Sequence, residues 1–192
     1  MDKAKYIVKY LISLTTQPEQ TWLYLAKGEV NESKPQYMQT NYYLPLLGFM
    51  SLFVFCTAGF GGEDGFSLEA GMKSMVPVLV AYFVSPYIAM FVLKELLPTQ
   101  YFKMQNPDND RLHLYVFYST SYLMLVEMAA SLLPSLSFIR LAAYYLIYIT
   151  WTGSHTMIRV EEHRRWIFGF LSFVIIYASP SIVIWILQFM QR

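Results

Sequence analysis

The sequence predicts an all-α integral membrane protein, a bundle of five transmembrane helices with an amphipathic helix at the membrane interface before the first span. Apolar residues make up 56% of its 192 residues and charged residues only 14%, whereas soluble domains carry about 25% charged residues. Several long stretches contain no Asp, Glu, Lys or Arg, and a helix needs about 20 apolar residues to cross about 30 Å of hydrocarbon. These stretches also lack the polar stripe at helical period that is typical of helices in a soluble bundle.

Five stretches have the length of a membrane span. The predicted spans cover about 42–60, 74–97, 112–133, 136–153 and 166–189. Together they form a membrane domain over 42–192, which follows a region of cytoplasmic and interfacial helices over 1–41. Pro77 and Pro86 in the second span and Pro180 in the fifth each free a backbone carbonyl, which a neighbouring helix has to satisfy.

An amphipathic helix is predicted over residues 3–14. Its apolar face consists of Ala4, Ile7, Val8, Leu11 and Leu14. Lys5 and Lys9 lie on the other face, where they could meet anionic lipid headgroups while the apolar face enters the acyl boundary. A helix of this pattern could equally pack on the protein itself, and the sequence leaves both placements open.

The Lys and Arg residues predict the orientation, because positive charges are retained on the cytoplasmic side. Eleven of the 14 Lys and Arg residues fall before the first span or in the second-to-third and fourth-to-fifth connections. The other side has only Lys73, Arg140 and Arg192. The sequence therefore predicts the N-terminus inside and the C-terminus outside a cytoplasmic membrane.

Glu127 is the one formal charge well inside a predicted span, and an ionised side chain at that depth costs on the order of 3 kcal/mol or more. The turn between spans three and four centres on Pro134, so Glu127 and Arg140 reach similar depth in an antiparallel hairpin. Three interpretations stay open: an ion pair between Glu127 and Arg140, a role of Glu127 in proton or ion coupling, and a protonated or water-exposed Glu127.

Other chemistry-bearing residues lie on the predicted cytoplasmic side. Arg164 and Arg165, like Lys5 and Lys9, are candidate contacts to lipid phosphates. The loop SHTMIRVEEHRRW contains His155, but neither an HExxH pair nor clustered cysteines. The chain also lacks the GxSxG and phosphate-cradle motifs, and its net charge is only +1. We therefore expect no catalytic residue, metal or cofactor, and no nucleic-acid partner.

Tyrosines are dense in the third and fourth predicted spans. They are Tyr115, Tyr118 and Tyr122 in the third span and Tyr144, Tyr145 and Tyr148 in the fourth. Several share a helix face at i, i+3 and i+4 spacing. This pattern favours packing between the two spans over a ligand site.

Short motifs in a fixed order carry a resemblance to a known family. They are Pro18-x-x-x-Trp22, Pro45 in YYLPLLGF, Tyr118-Ser119, Leu133-Pro134, Trp151-x-Gly153 and Ser179-Pro180. With these motifs the chain resembles the Yip family of small five-span membrane proteins, named for interaction with Ypt/Rab GTPases, in its short bacterial form. The resemblance implies a helical membrane protein with a cytoplasmic N-terminus and no known enzymatic activity. The long N-terminal region and the Asp-Leu-x-Gly-Pro stretch of eukaryotic members are missing, so Rab binding is not carried over.

The sequence thus predicts a non-enzymatic protein of a bacterial inner membrane that organises lipids or partner proteins. Its partners would be the lipid bilayer and either other membrane proteins or further copies of the chain. The alternative is a small oligomeric transporter or channel with Glu127 in a polar path. An intramembrane metal-dependent enzyme is a third and weaker alternative.

Overall fold

A computed structural model describes residues 3–28, 33–61, 65–98, 102, 108–132 and 136–190. The described part of the chain is all-helical, with 90% of its residues in helix and none in a strand. The helices are α1 (Lys3–Thr16), α2 (Pro18–Ala26), α3 (Pro35–Gly59), α4 (Leu68–Leu96), α5 (Asn109–Leu132), α6 (137–158) and α7 (Glu162–Met190). The predicted helical class is therefore confirmed.

Three helices, α3, α4 and α7, are long and apolar enough to cross a membrane. They correspond to the first, second and fifth predicted spans, and all three expose large apolar side chains. The third and fourth predicted spans correspond to α5 and α6, which are less apolar. The structure therefore supports a membrane protein with three such helices and leaves the five-span count as a prediction.

Helix α5 lies at the centre of the bundle, in contact with α1, α3, α4, α6 and α7. All of its residues from 114 to 124 are buried. Two of its hydroxyl groups have partners inside the protein: Thr120 donates to the Val116 carbonyl and Ser121 to the Tyr118 carbonyl, at 2.8 and 2.6 Å. Among the described residues, the buried Ser119 hydroxyl has no hydrogen-bond partner. The polar character of α5 is accommodated because protein, not lipid, surrounds this stretch.

The helices run antiparallel and define two ends of the bundle. At one end of the bundle, α3, α5 and α7 begin and α4 and α6 end. We call this the basic end. At the opposite end, the cavity end, α3 connects to α4, α5 approaches α6, and α7 finishes. The α3–α4 hairpin is close-packed, because a Cβ added at Gly71 would lie 2.8 Å from the Phe55 ring.

A buried tyrosine satisfies one of the carbonyls that the prolines free. Pro86 lies inside α4 and has no N–H to donate to the Tyr82 carbonyl four residues earlier. The Tyr43 hydroxyl on α3 donates to this carbonyl at 2.5 Å. The proline therefore leaves no unsatisfied group here, and the hydrogen bond joins α3 to α4.

Helix α6 combines three helical geometries. Ser137–Tyr145 is a 3-10 helix of nine residues, Leu146–Gly153 is an α-helix, and Ser154–Ile158 is a π-helix. Runs of 3-10 helix longer than 3–4 residues are uncommon. The π-helix ends at Arg159, whose φ of 61° is left-handed.

Helix α1 packs on the protein through a face that overlaps the predicted apolar face only in part. Tyr6, Tyr10 and Leu14 are buried, whereas Val8, which belongs to the predicted apolar face, is 54% exposed. The Tyr6 and Tyr118 hydroxyls are 3.1 Å apart, and the Tyr145 hydroxyl donates to the Thr15 carbonyl at 2.9 Å. The buried side is therefore shifted from the predicted apolar face toward Tyr6 and Tyr10, while Ile7, Leu11 and Leu14 of the predicted face still pack against the core. Placement of α1 at the membrane interface stays a prediction.

Candidate functional site

A cavity of about 320 Å³ lies between α4, α5, α6 and α7 near the cavity end. Its polar and charged lining residues are Tyr82, Glu127, Arg140, Tyr177, Ser181 and Gln188. The remaining wall is mostly aliphatic, with Trp185 at the side of α7. We call this space the Glu127 cavity, and it is the candidate functional site.

The structure brings Glu127 and Arg140 to the wall of the same cavity, in agreement with their similar separations of seven and six residues from Pro134. Glu127 is half-buried and Arg140 is exposed. Glu127 also lies close enough to the Tyr82 phenol for an electrostatic interaction. Ion pairs join other described residues, but none joins these two side chains. Of the three interpretations of Glu127 that the sequence left open, the ion pair with Arg140 is therefore not formed in this structure.

The 3-10 geometry of the start of α6 accounts for this arrangement. Arg140 lies within the 3-10 helix Ser137–Tyr145, which rises about 2.0 Å per residue, with three residues per turn. An α-helix would rise about 1.5 Å per residue. The depth and direction of the Arg140 side chain therefore differ from those of a residue six positions into an α-helical hairpin.

Polar residues of α7 contribute one wall of the cavity, and the sequence analysis missed them. Tyr177, Ser181 and Gln188 occupy positions i, i+4 and i+11, which lie on one face of an α-helix. The Tyr82 ring comes from α4. The spacing of these three polar residues on one face of α7 could have indicated the site, but the strongly apolar composition of the helix made the pattern inconspicuous.

This arrangement is that of a binding site for a polar group. The cavity offers one carboxylate, one guanidinium and several hydroxyl and amide groups around an apolar wall. Small-molecule sites have this composition and occupy about 300–1,000 Å³. A nucleophile activated by histidine is not assembled here, since no histidine lines the cavity. Among the described residues, no group of three His, Cys, Asp or Glu side chains could hold a metal ion.

The candidate lipid contacts at the basic end differ in exposure. Lys5 and Lys9 are exposed on α1. The Lys9 ammonium lies 5.5 Å from the centre of the Tyr10 ring and 5.8 Å from that of Tyr24 on α2. This ammonium therefore helps to join the exposed surfaces of α1 and α2.

Arg164 and Arg165 are half-buried, so they are less available to lipid than the two lysines. The Arg164 Nε lies 3.7 Å from a carboxylate oxygen of Glu161. Arg165 lines a second, smaller cavity of about 150 Å³ together with Trp151 and His155. Within the part of the chain that the structure describes, the Arg165 Nε and the Trp151 Nε1 are buried without a hydrogen-bond partner.

Three of the sequence motifs meet in space at the junction of α2, α5 and α6. The Trp22 ring is 6.3 Å from the Tyr118 ring, edge to face. The Trp22 Nε1 donates to the Ile149 carbonyl at 3.1 Å. A Cβ added at Gly153 would lie 3.0 Å from the Trp22 ring and 2.7 Å from the Tyr115 ring. These motif residues therefore have a packing role in fastening α2 to the bundle.

The predicted packing of tyrosines between the third and fourth spans is found for Tyr115 and Tyr122. The Tyr115 hydroxyl donates to the Thr150 carbonyl at 3.0 Å, and the Tyr122 hydroxyl donates to the Ala142 carbonyl at 2.7 Å. The Tyr122 and Tyr145 rings are 5.8 Å apart. Tyr115 and Tyr118 also pack against Trp22 on α2. The aromatic core is thus built largely around the N-terminal helices.

Comparison of the whole chain with protein-family models, curated proteins and solved structures finds no match in any of the three.

Proposed function

We propose that this chain is a non-enzymatic five-span membrane protein of the Yip type, which organises lipids or partner proteins at the cytoplasmic face of a bacterial inner membrane. The observation that carries the proposal is an exposed surface on α1 and α2, two helices whose opposite sides are buried against the bundle. This N-terminal platform consists of Lys5, Val8, Lys9, Ile12, Leu23 and Tyr24, all exposed. Two lysines beside apolar and aromatic side chains are suited to an anionic lipid surface or to a partner protein.

Anchoring of the platform to the bundle supports this function. Trp22, Tyr6 and Tyr10 hold α1 and α2 against the bundle, and each of these side chains is at most 2% exposed. A platform held in this way loses little conformational entropy when a partner binds. The buried aromatic side chains of α1 attach it to the bundle, so its exposed side is presented in one position.

The geometry of α5 and α6 supports five spans. Helix α5 has 24 residues, which gives a length of about 36 Å at 1.5 Å per residue. Arg140 lies near the start of α6 and Gln188 near the end of α7, and both line the Glu127 cavity. The start of α6 therefore lies beside the end of α7, as expected when α5 and α6 both cross the membrane.

The charges of the two ends support an inside N-terminus. Nine Lys and Arg side chains that the structure describes belong to the basic end: Lys5, Lys9, Lys27, Lys34, Lys94, Arg111, Arg159, Arg164 and Arg165. The cavity end has Lys73 and Arg140. The excess at the basic end is the asymmetry that retains loops in the cytoplasm.

The five-span arrangement predicts that Leu136→Cys reacts with a membrane-impermeant thiol reagent added outside the cell. Three-span and five-span proteins differ here, because only the five-span arrangement carries the α5–α6 connection across the membrane. Leu136 is exposed, and the experiment uses a chain in which Cys56 is replaced by alanine.

Two matched positions control this labelling. Lys73→Cys at the start of α4 should react from outside in either arrangement, and His155→Cys at the end of α6 should react only after the membrane is opened. If Leu136→Cys, like His155→Cys, reacted only after the membrane is opened, the chain would have three spans. If Lys73→Cys did not react with reagent added outside the cell, the orientation would be the opposite of the one proposed.

The organising function predicts that a photo-cross-linking amino acid at Leu23 forms a reproducible adduct in intact membranes. Leu23 is 49% exposed on the N-terminal platform. The same group at Leu52, which is 62% exposed on the outer side of α3, is the matched control and should give chiefly lipid adducts. An adduct with one identified membrane protein, or with anionic lipid, at Leu23 but not Leu52 is the expected result. Identical adducts at both positions would contradict a function of the platform.

A transporter or channel is the second candidate, and the Glu127 cavity is the observation that favours it. Glu127 lines a space that contains several polar side chains and is open at its rim. Between this cavity and the basic end, however, the core contains the buried rings of Tyr43, Phe117 and Tyr118, so a path would have to pass between copies of the chain. Solute efflux from proteoliposomes that Glu127→Gln abolishes would establish this function.

A further inference from the structure

We propose that the Glu127 cavity binds the zwitterionic phosphate–amine headgroup of a membrane phospholipid, with the ammonium group at Glu127 and the phosphate at Arg140. The inference rests on the membrane placement and lipid-organising role proposed above. It adds a specific ligand class and a second contact site, at the end of the bundle opposite the N-terminal platform.

The first argument is charge. Glu127 and Arg140 line one cavity, yet no ion pair neutralises them. Charged groups at bilayer depth are unfavourable unless they are paired. An anionic ligand would leave Glu127 facing a like charge, and a cationic ligand would do the same to Arg140. A zwitterion complements both.

The aromatic residues of the cavity supply the second argument. Tyr82, Tyr177 and Trp185 all line it. The faces of aromatic rings attract ammonium groups, most strongly where water is excluded. Ser181 and Gln188 on the same wall offer hydrogen-bond donors for phosphate oxygens. The lining thus contains partners for each part of a phosphate–amine headgroup.

Access from the bilayer is the third argument. Tyr177, Ser181 and Trp185 are exposed on the outer side of α7, and Arg140 is exposed on α6, so the rim of the cavity opens at the side of the bundle. A headgroup can enter there while its acyl chains stay in the membrane. Leu141, next to Arg140 and 62% exposed, offers an apolar surface for them.

The volume is consistent with a headgroup and excludes a whole lipid. The cavity holds about 320 Å³, near the lower limit of about 300 Å³ for small-molecule sites. Only the polar part of a phospholipid fits such a space. The acyl chains would then lie outside the protein, where α6 and α7 expose apolar side chains.

The test measures lipid retention by the full-length protein. The protein is purified from membranes containing equal amounts of phosphatidylethanolamine and phosphatidylglycerol, and the retained lipid is quantified by mass spectrometry. The wild-type protein should enrich phosphatidylethanolamine. Glu127→Gln and Arg140→Gln should each lower this enrichment about tenfold, the loss expected for a charged hydrogen bond.

The chain offers a matched control at the same end. Glu69 and Lys73 form an exposed i, i+4 ion pair at 2.6 Å, so Glu69→Gln and Lys73→Gln change charge equally without touching the cavity. Both should retain phosphatidylethanolamine as the wild type does. Ser181→Phe, which fills the cavity and leaves its charges intact, should also lose the lipid and provides a second variant if Glu127→Gln fails to fold.

Three results would overturn the inference. They are equal retention of both lipids by the wild type, unchanged enrichment in all cavity variants, and binding of water-soluble phosphoethanolamine without enrichment of its lipid. The last result would assign the same chemistry to a soluble ligand. Failure of the Leu23 adducts with lipid enrichment intact would instead count against the N-terminal platform and leave this site standing.

Discussion

Trp22→Ala is expected to lower the free energy of unfolding by about 3–5 kcal/mol, the range for removal of a buried tryptophan. Trp22 is fully buried between α5 and α6, 5.7 Å from the Tyr115 ring. Its Nε1 also satisfies the Ile149 carbonyl. The substitution removes the contact area and one buried hydrogen bond together.

Thermal or denaturant unfolding of the purified chain in lipid nanodiscs measures this effect. Leu23→Ala is the control, since Leu23 is adjacent on α2 but exposed, and it should change stability by no more than about 0.5 kcal/mol. Protease digestion gives a second readout, because release of α2 should open the chain near Gly28 before the bundle unfolds. Equal effects of the two substitutions would show that α2 does not stabilise the bundle.

The sequence predicted the helical class and the three most apolar helices because their signal is local. A stretch such as residues 74–93 contains no charged residue, and a long apolar helix follows from length and composition alone. For α5 the same criterion is ambiguous. A stretch without charges is equally compatible with contact to lipid and with enclosure by protein, and only tertiary packing shows that residues 114–124 are enclosed.

The candidate site was predicted in part for a similar reason. Similar separations from Pro134, seven and six residues, predicted that Glu127 and Arg140 lie at similar depth. The absence of an ion pair between them could not be predicted, because a 3-10 helix of nine residues has no clear sequence signature. The contribution of Tyr82 required knowledge of which helices are neighbours.

The close approach of α6 and α7 at Gly169 leads to the other large effect. A Cβ at Gly169 would lie 2.9 Å from the Trp151 Cα, which is backbone and cannot rotate away. The Thr150 hydroxyl also donates to the Gly169 carbonyl at 3.0 Å. Gly169→Ala should therefore lower the free energy of unfolding by about 1–3 kcal/mol through overpacking, although alanine is the better helix former.

Gly48 on α3 is the matched control for this substitution, because no atom lies within 4 Å of its added Cβ. Gly48→Ala should leave stability unchanged or raise it by up to about 1 kcal/mol, the gain in helix propensity. Unfolding of both variants in nanodiscs gives the comparison. If the two substitutions change the free energy of unfolding in opposite directions, the strain lies at the α6–α7 contact. A gain in stability in both variants would mean that α6 and α7 separate without cost.

Separation of α6 and α7 would also move Arg140 away from Ser181 and widen the Glu127 cavity. Lipid retention by Gly169→Ala therefore connects the packing of α6 and α7 to the proposed headgroup site.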